Sequence, residues 1–164
     1  MVHFAAKEQK SIKTHLIIAR VVDGDGLILA DFFEKKETEI RLLGIDAPEL
    51  KYCKKLIQDE RETHIAGQFL VELGKLSFKF LLSIAPPGTH VTLAQEQSNL
   101  VDVYGRTLAY VFLPDGRCLN DILISEGFAK PYSRHFCNQL PKYQELSSRA
   151  RMDKKGLFAL VNRF

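Results

Sequence analysis

Residues 15–46 read HLIIARVVDGDGLILADFFEKKETEIRLLGID and contain three apolar segments separated by two polar turns. The first segment, residues 15–22, is rich in β-branched and aliphatic side chains and stops at the glycine-containing turn 23–26. Residues 27–33 and 38–45 repeat this composition on either side of a second, charged turn. The stretch therefore predicts a meander of three strands.

The chain beyond the meander changes to helical periodicity. Between residues 59 and 83, apolar side chains recur at intervals of three and four, which places them on one face of a helix. Pro86 and Pro87 cannot continue that helix. Two more strands and two more helices are predicted at residues 90–94, 107–113, 120–126 and 141–155.

Five strands with a helix inserted after the third follow the element order of the OB-fold, a small barrel that often binds nucleic acids. The predicted fold class is therefore α+β and mainly β: a five-stranded OB-fold barrel with an inserted helix and C-terminal helices. A length of 164 residues favours one domain with one core. We assign residues 15–164 to this domain and residues 1–14 to a polar N-terminal extension.

The composition bounds the function only loosely. A formal net charge of +3 permits an anionic partner but does not require one. Cys53, Cys118 and Cys137 are odd in number and far apart, which argues against a disulfide framework and leaves their role open. The sequence contains no apolar run long enough for a bilayer and no signal-peptide pattern, so we expect no membrane association. We separately expect a monomer. The sequence does not determine the cellular compartment, because a secretion leader could have been removed.

Acidic residues gather at two turns of the predicted meander. Asp23 and Asp25 lie in the first turn, and Asp46 and Glu49 follow the third strand. Hairpin neighbours bring these two places together, so their oxygens could hold calcium or magnesium. Asp is also a common turn former, so the first turn alone leaves both interpretations open. An EF-hand is excluded, because Leu27 stands where an oxygen ligand belongs.

Two arginines lie near these acids in the sequence pattern. Arg41 is inside an apolar strand, where a charge needs a partner or a polar cavity. Arg106 lies in a turn just before a strand. A guanidinium fork matches two oxygens of one phosphate, so arginines beside carboxylates indicate phosphoryl chemistry, with ordinary ion pairs as the alternative. His135 and Cys137 lack the further ligands that zinc requires.

Several motifs resemble, in order, those of the staphylococcal nuclease (thermonuclease) family. They are VDGD at 22–25, RLLGIDAPE at 41–49, DVYGRTLAY at 102–110, LN at 119–120 and GFA at 127–129. Each motif is weak alone, but their order and spacing together are a strong signal. The likeness extends from about residue 17 to about residue 132, with a looser match in the last helix.

The resemblance implies a site for one calcium ion. Asp25 and Asp46 would bind it through their carboxylates, and the main-chain carbonyl of Ala47 would be a further ligand. Asp23 would support this site from outside the ligand shell. Glu49 would activate or position the attacking water.

The resemblance also assigns the substrate contacts. Arg41 and Arg106 would bind the scissile phosphate, and together with Glu49 they form the expected catalytic set. Tyr104 and Tyr132 are the candidate nucleotide-binding residues. Many family members carry a lysine where this chain has Val103, and its loss would weaken nucleotide binding.

The segment after Glu49 is predicted to be a mobile loop at residues 51–60 that flanks the site. It contains Lys51, Lys54 and Lys55, which would either attract phosphates or be solvated. The sequence pattern leaves these two alternatives open.

The implied function is a calcium-dependent nuclease that hydrolyses phosphodiester bonds of DNA and RNA with little sequence specificity and a preference for single strands. The alternative is a catalytically inactive OB-fold module that only binds nucleic acid. An inactive module is expected to lose its acidic and arginine positions. All five of these stand in this chain, namely Asp25, Arg41, Asp46, Glu49 and Arg106, which favours the enzyme.

Overall fold

A computed structural model describes residues 10–164, in which seven strands and four α-helices are formed. The strands are β1 (Lys10–Asp23), β2 (Gly26–Asp31), β3 (Glu37–Leu42), β4 (Ile45–Asp46), β5 (His90–Glu96), β6 (Thr107–Phe112) and β7 (Lys130–Pro131). The helices are α1 (Lys54–Thr63), α2 (Gly67–Ile84), α3 (Leu119–Ser125) and α4 (Leu140–Met152), followed by a 3₁₀ turn at Gly156–Ala159.

Five of the strands close a barrel in the order β1, β2, β3, β6, β5. The β3–β6 pair is parallel, and the other neighbours with resolved register are antiparallel. The short strands β4 and β7 form a separate two-stranded sheet. This arrangement confirms the predicted α+β class with an OB-fold barrel, including the meander of β1, β2 and β3.

Strand β1 is longer than its apolar pattern indicates. It begins at Lys10, within the segment that we assigned to the polar extension, and residues 10–13 pair with β5. Residues 1–9 of that extension lie outside the described residues. The pairing of Lys10 with Glu96 and of Ile12 with Ala94 uses main-chain groups and leaves most side chains in solvent. Hydrophobic periodicity therefore gives no signal for it.

The predicted third strand, residues 38–45, is divided in two by a glycine. β3 ends at Leu42, and Gly44 adopts a left-handed conformation with φ of +81° before β4 begins. A β-carbon at Gly44 would lie 2.8 Å from Cys137 Sγ, so a larger residue meets both strain and a clash. The turn detaches Asp46 from the barrel and pairs it with Lys130 of β7.

Residues 51–60 do not form a loop, because most of them belong to helix α1. The single helix predicted at 59–83 is accordingly two helices, separated by residues 64–66, where His64 is left-handed with φ of 59°. α1 is mostly polar and buries only Leu56 and Asp59, so its sequence offers too few apolar positions to indicate a helix. The loop prediction is therefore wrong.

The apolar side chains form two clusters. The larger one fills the barrel and its contacts with α2, α3 and α4, and includes Leu27, Ile40, Leu42, Leu93 and Val111. The smaller one lies among α1, α2 and the C-terminal segment, and includes Leu56, Leu70, Leu73, Leu157 and Phe158. The three cysteines are free thiols in the described chain, and two of them are buried. Of the helices described, none is long and apolar enough to cross a bilayer.

Helix α2 closely approaches the loop that follows β4. A β-carbon at Gly74 would lie 2.5 Å from the carbonyl oxygen of Glu49 and 2.7 Å from that of Pro48. Only glycine allows this approach, which fixes the main chain of the proposed catalytic loop against a rigid helix.

We expect Gly74→Ala to destabilise the protein by about 1–3 kcal/mol, because the added methyl group overpacks a main-chain contact. Helix propensity alone predicts the opposite sign, a gain of about 0.5–1 kcal/mol. Urea unfolding measures the difference, with the exposed α2 substitution Lys79→Ala as the control. A stabilised Gly74→Ala protein would contradict the close approach.

Candidate active site

The barrel brings the first turn of the meander next to the end of its third strand. Gly26 pairs with Arg41 in the β2–β3 register, and the Leu42 amide donates to the Asp25 carbonyl oxygen at 2.9 Å. Because the chain turns at Gly44 before β4 begins, Asp46 lies beside Arg41, with 3.1 Å between Asp46 Oδ1 and Arg41 Nη2. The structure thus brings together Asp25, Arg41 and Asp46, as the meander predicts.

Arg41 is shared by the two aspartates. Its Nη1 lies 3.3 Å from Asp25 Oδ2, and its Nη2 donates to Asp46 Oδ1 at 3.1 Å and to the Ile45 carbonyl oxygen at 3.2 Å. The side chain is only 13% exposed, and its guanidinium carbon is 5.6 Å from the centre of the Tyr132 ring. Burial acts to lower the pKa of Arg41, but the two carboxylates outweigh it and the pKa is raised.

Asp25 is almost fully buried, with 3% of its surface exposed. Its Oδ2 accepts a hydrogen bond from the Ala47 amide at 2.9 Å. Burial raises the pKa of Asp25 to about 7; Arg41 opposes this shift, and the charges of Asp23 and Asp46 add to it. Burial therefore outweighs Arg41 in setting the pKa of Asp25, and a further positive charge at this corner would favour its ionised form.

These residues fit calcium by donor type and by charge. Asp25, Asp46 and the Ala47 carbonyl are hard oxygen donors on adjacent turns, and calcium takes six to eight oxygens. Across residues 10–164, no three Asp, Glu, His or Cys side chains converge into a complete metal site. The protein would thus supply part of a shell, with water and phosphate oxygens as the remainder. Asp23 lies behind these donors, where its Oδ1 accepts from the Asp25 amide at 3.1 Å.

Lys55, which the sequence indicated only as a phosphate-attracting or solvated lysine of a loop, is paired with carboxylates of the site. Its ammonium nitrogen lies 3.2 Å from Asp46 Oδ2, 3.3 Å from Glu49 Oε1 and 3.1 Å from Asp59 Oδ2. Burial raises the pKa of the Glu49 carboxyl, and Lys55 opposes that shift. Burial likewise acts to lower the pKa of Lys55, but the three carboxylates raise it. The i,i+4 spacing of Lys55 and Asp59 is the only sequence signal for these contacts, and it brings the two side chains together only if the segment is helical.

Arg106 is held by its own turn. Asp102 Oδ1 accepts hydrogen bonds from the amides of Tyr104 and Arg106, both at 2.9 Å, and its Oδ2 accepts from Arg106 Nε at 2.7 Å. Partial burial acts to raise the pKa of Asp102, but these bonds lower it. The Arg106 guanidinium carbon lies 5.6 Å from the Tyr104 ring centre, and a quarter of the side chain is exposed.

A cleft of about 620 Å³ joins these parts. Arg41, Arg106, Tyr104 and Tyr132 all line it, so the two arginines and the two candidate nucleotide-binding residues face one space. Lys54, Lys55, Arg134 and His135 add a basic wall. Asp25, Asp46 and Glu49 lie beside Arg41 or Lys55 rather than along the cleft wall.

Arg41 and Arg106 should differ in their importance for stability. Arg41→Met leaves Asp25 buried without a cation and Asp46 with Lys55 alone, so we expect a loss of about 3–5 kcal/mol in unfolding free energy. Arg106→Met breaks a partly exposed pair and should cost under about 1 kcal/mol. Urea unfolding of both variants without calcium tests this, and equal small losses would show that Arg41 is not needed to neutralise the aspartates.

Comparison with known proteins agrees with the motifs. The family model of staphylococcal nuclease homologues matches residues 39–159. Two Escherichia coli proteins named uncharacterized endonuclease, one from O157:H7, are 31% identical over 145 residues, covering 88% of this chain and 77% of their own length. Endonuclease YhcR of Bacillus subtilis (strain 168) is 30% identical over 145 residues, which cover 87% of this chain and 11% of that protein. The chain therefore belongs to the staphylococcal nuclease family.

Proposed function

We propose that this protein is a calcium-dependent nuclease that hydrolyses phosphodiester bonds of DNA and RNA with little sequence specificity. The supporting observation is the placement of Arg41 and Arg106 on one cleft, with Asp25 and Asp46 against Arg41. Two guanidinium groups beside paired carboxylates are suited to a phosphate and a divalent cation together. Relatives that are named endonucleases support the same reaction class.

The two arginines stabilise the charge that gathers on phosphorus. Each planar guanidinium can donate two hydrogen bonds to non-bridging phosphate oxygens, where negative charge increases during attack by water. Asp102 orients Arg106, and the two aspartates orient Arg41, so neither group has to reorganise during the reaction. Such preorganisation is the largest contribution expected from the protein.

Glu49 is the proposed base or positioning group for the water. Its main chain packs on Gly74 and its side chain is a quarter exposed, so it is fixed at one end and accessible at the other. A carboxylate in hydrogen-bonding reach of the water accepts its proton as the new bond to phosphorus forms. The bond from phosphorus to the leaving sugar oxygen breaks, and that oxygen takes up a proton from solvent.

Asp25, Asp46 and the carbonyl oxygen of Ala47 would hold the calcium ion, with Asp23 supporting the turn of Asp25. When bound, the ion would supply positive charge and Lewis acidity at the phosphate. Ala47 is no defect in this role, since a main-chain carbonyl is the same for every residue type.

The cleft suits a single strand without a defined sequence. Tyr104 is 81% exposed and Tyr132 lies beside Arg41, so both rings are available near the phosphate-binding groups. Stacking on aromatic rings tolerates any base, and lysine and arginine contacts track the backbone of either DNA or RNA. We infer a monomer that binds one strand along this cleft.

A calcium-titrated assay on denatured DNA is the direct test. We expect cleavage with calcium, a sharp fall with magnesium because its octahedral shell fits these donors poorly, and none in excess EDTA. Glu49→Gln, which keeps the side-chain shape, should lose roughly a hundredfold in turnover. Nucleic-acid binding without cleavage in calcium would support the inactive module instead, and full activity in EDTA would reject the metal site.

Arg106→Lys keeps the positive charge but loses the guanidinium group that can donate two hydrogen bonds to one phosphate. We therefore expect roughly a hundredfold lower turnover with an unchanged circular dichroism spectrum. The matched control is Arg117→Lys, because Arg117 donates from Nε to Asp115 Oδ2 at 2.7 Å in a similar turn outside the cleft. Equal turnover in both variants would remove Arg106 from the phosphate contacts.

A further inference from the structure

The ammonium group of Lys55 is bound by carboxylates from three segments. Asp46 belongs to β4, Glu49 to the loop after it, and Asp59 to α1 itself, all within 3.1–3.3 Å of Nζ. An ammonium group has three N–H donors, so this set can satisfy all of them. Lys55 therefore bridges the proposed calcium-binding and water-activating carboxylates.

The position of Lys55 is built into the fold. Its neighbour Leu56 is fully buried between the helices, and Asp59, one turn along α1, is 7% exposed. Asp59 holds the ammonium from α1 itself. A solvated surface lysine has no such support, and an exposed ion pair alone contributes little.

Building on the proposed nuclease function, we propose that Lys55 is a positioning residue that ties Glu49 to Asp46 and thereby directs Glu49 toward the attacking water. Lys55 engages Oε1 of Glu49, which leaves Oε2 for the water. The same ammonium lies 3.2 Å from a carboxylate that would bind calcium, so it also opposes calcium binding through like charge.

This role differs from that of a phosphate-binding lysine. Lys55 is engaged with three carboxylates before substrate arrives, and its effect passes through Glu49. Loss of a phosphate contact would raise KM, whereas loss of Glu49 positioning lowers kcat with little change in KM. A double-mutant cycle with Glu49 separates the two.

The experiment compares Lys55→Met and Lys55→Arg with the control Lys75→Met, which removes a lysine paired with Glu72 on the solvent-exposed face of α2. At saturating calcium we expect Lys55→Met to lower kcat roughly 10- to 100-fold with KM within about threefold, and Lys55→Arg to recover most of the loss. In a Glu49→Gln background, Lys55→Met should cost no more than about twofold further. Calorimetry without substrate should show calcium binding roughly tenfold tighter in Lys55→Met, and unchanged in Lys75→Met.

The kinetic results distinguish failure of the Lys55 proposal from failure of the proposed nuclease function. Three results would overturn the inference while wild-type cleavage stands. The first is a kcat for Lys55→Met equal to that of Lys75→Met, and the second is an effect of Lys55→Met on KM alone. The third is a fall in kcat that is just as large in the Glu49→Gln background. If Lys55→Met fails to fold by circular dichroism, Lys55→Gln is measured in its place with the same criteria. A wild-type protein that neither cleaves nor binds calcium would reject the proposed function itself.

Discussion

One guanidinium group, that of Arg41, connects the two acidic turns of this protein. It contacts Asp25 through one nitrogen and Asp46 through another, and both aspartates are buried. Two carboxylates so near each other would repel strongly in a desolvated corner, and the cation between them reduces that repulsion. Fold and proposed chemistry thus depend on the same contact.

The site is assembled from turns that rigid elements hold in place. The β1–β2 turn carries Asp25, the left-handed turn at Gly44 brings Asp46 beside Arg41, and Gly74 lets α2 fix the main chain at Glu49. Each turn is short and packed on a strand or helix. Charged groups can therefore be placed to within the tolerance that phosphoryl transfer requires.

The charges around the site are divided into two regions. The corner of Asp25 and Asp46 gathers buried carboxylates around Arg41 and, in the proposed function, suits a divalent cation. The adjoining cleft is lined by Arg41, Arg106 and further basic residues and suits a polyanion. Arg41 belongs to both regions, which places a bound phosphate beside a bound metal in the proposed function.

The sequence by itself determined the meander, the OB-fold order and the family, because strand periodicity, turn residues and short motifs are local signals. Arg41 was recognisable as a charge in an apolar strand that needs a partner. The start of β1 at Lys10 was not, because main-chain pairing leaves no apolar pattern. Only the tertiary structure decided that residues 51–60 lie largely in a helix and that Lys55 contacts three carboxylates. A lysine is solvated or paired depending on which side chains the fold brings within a few ångströms of its ammonium group. The residues next to it in the sequence do not indicate which side chains those are.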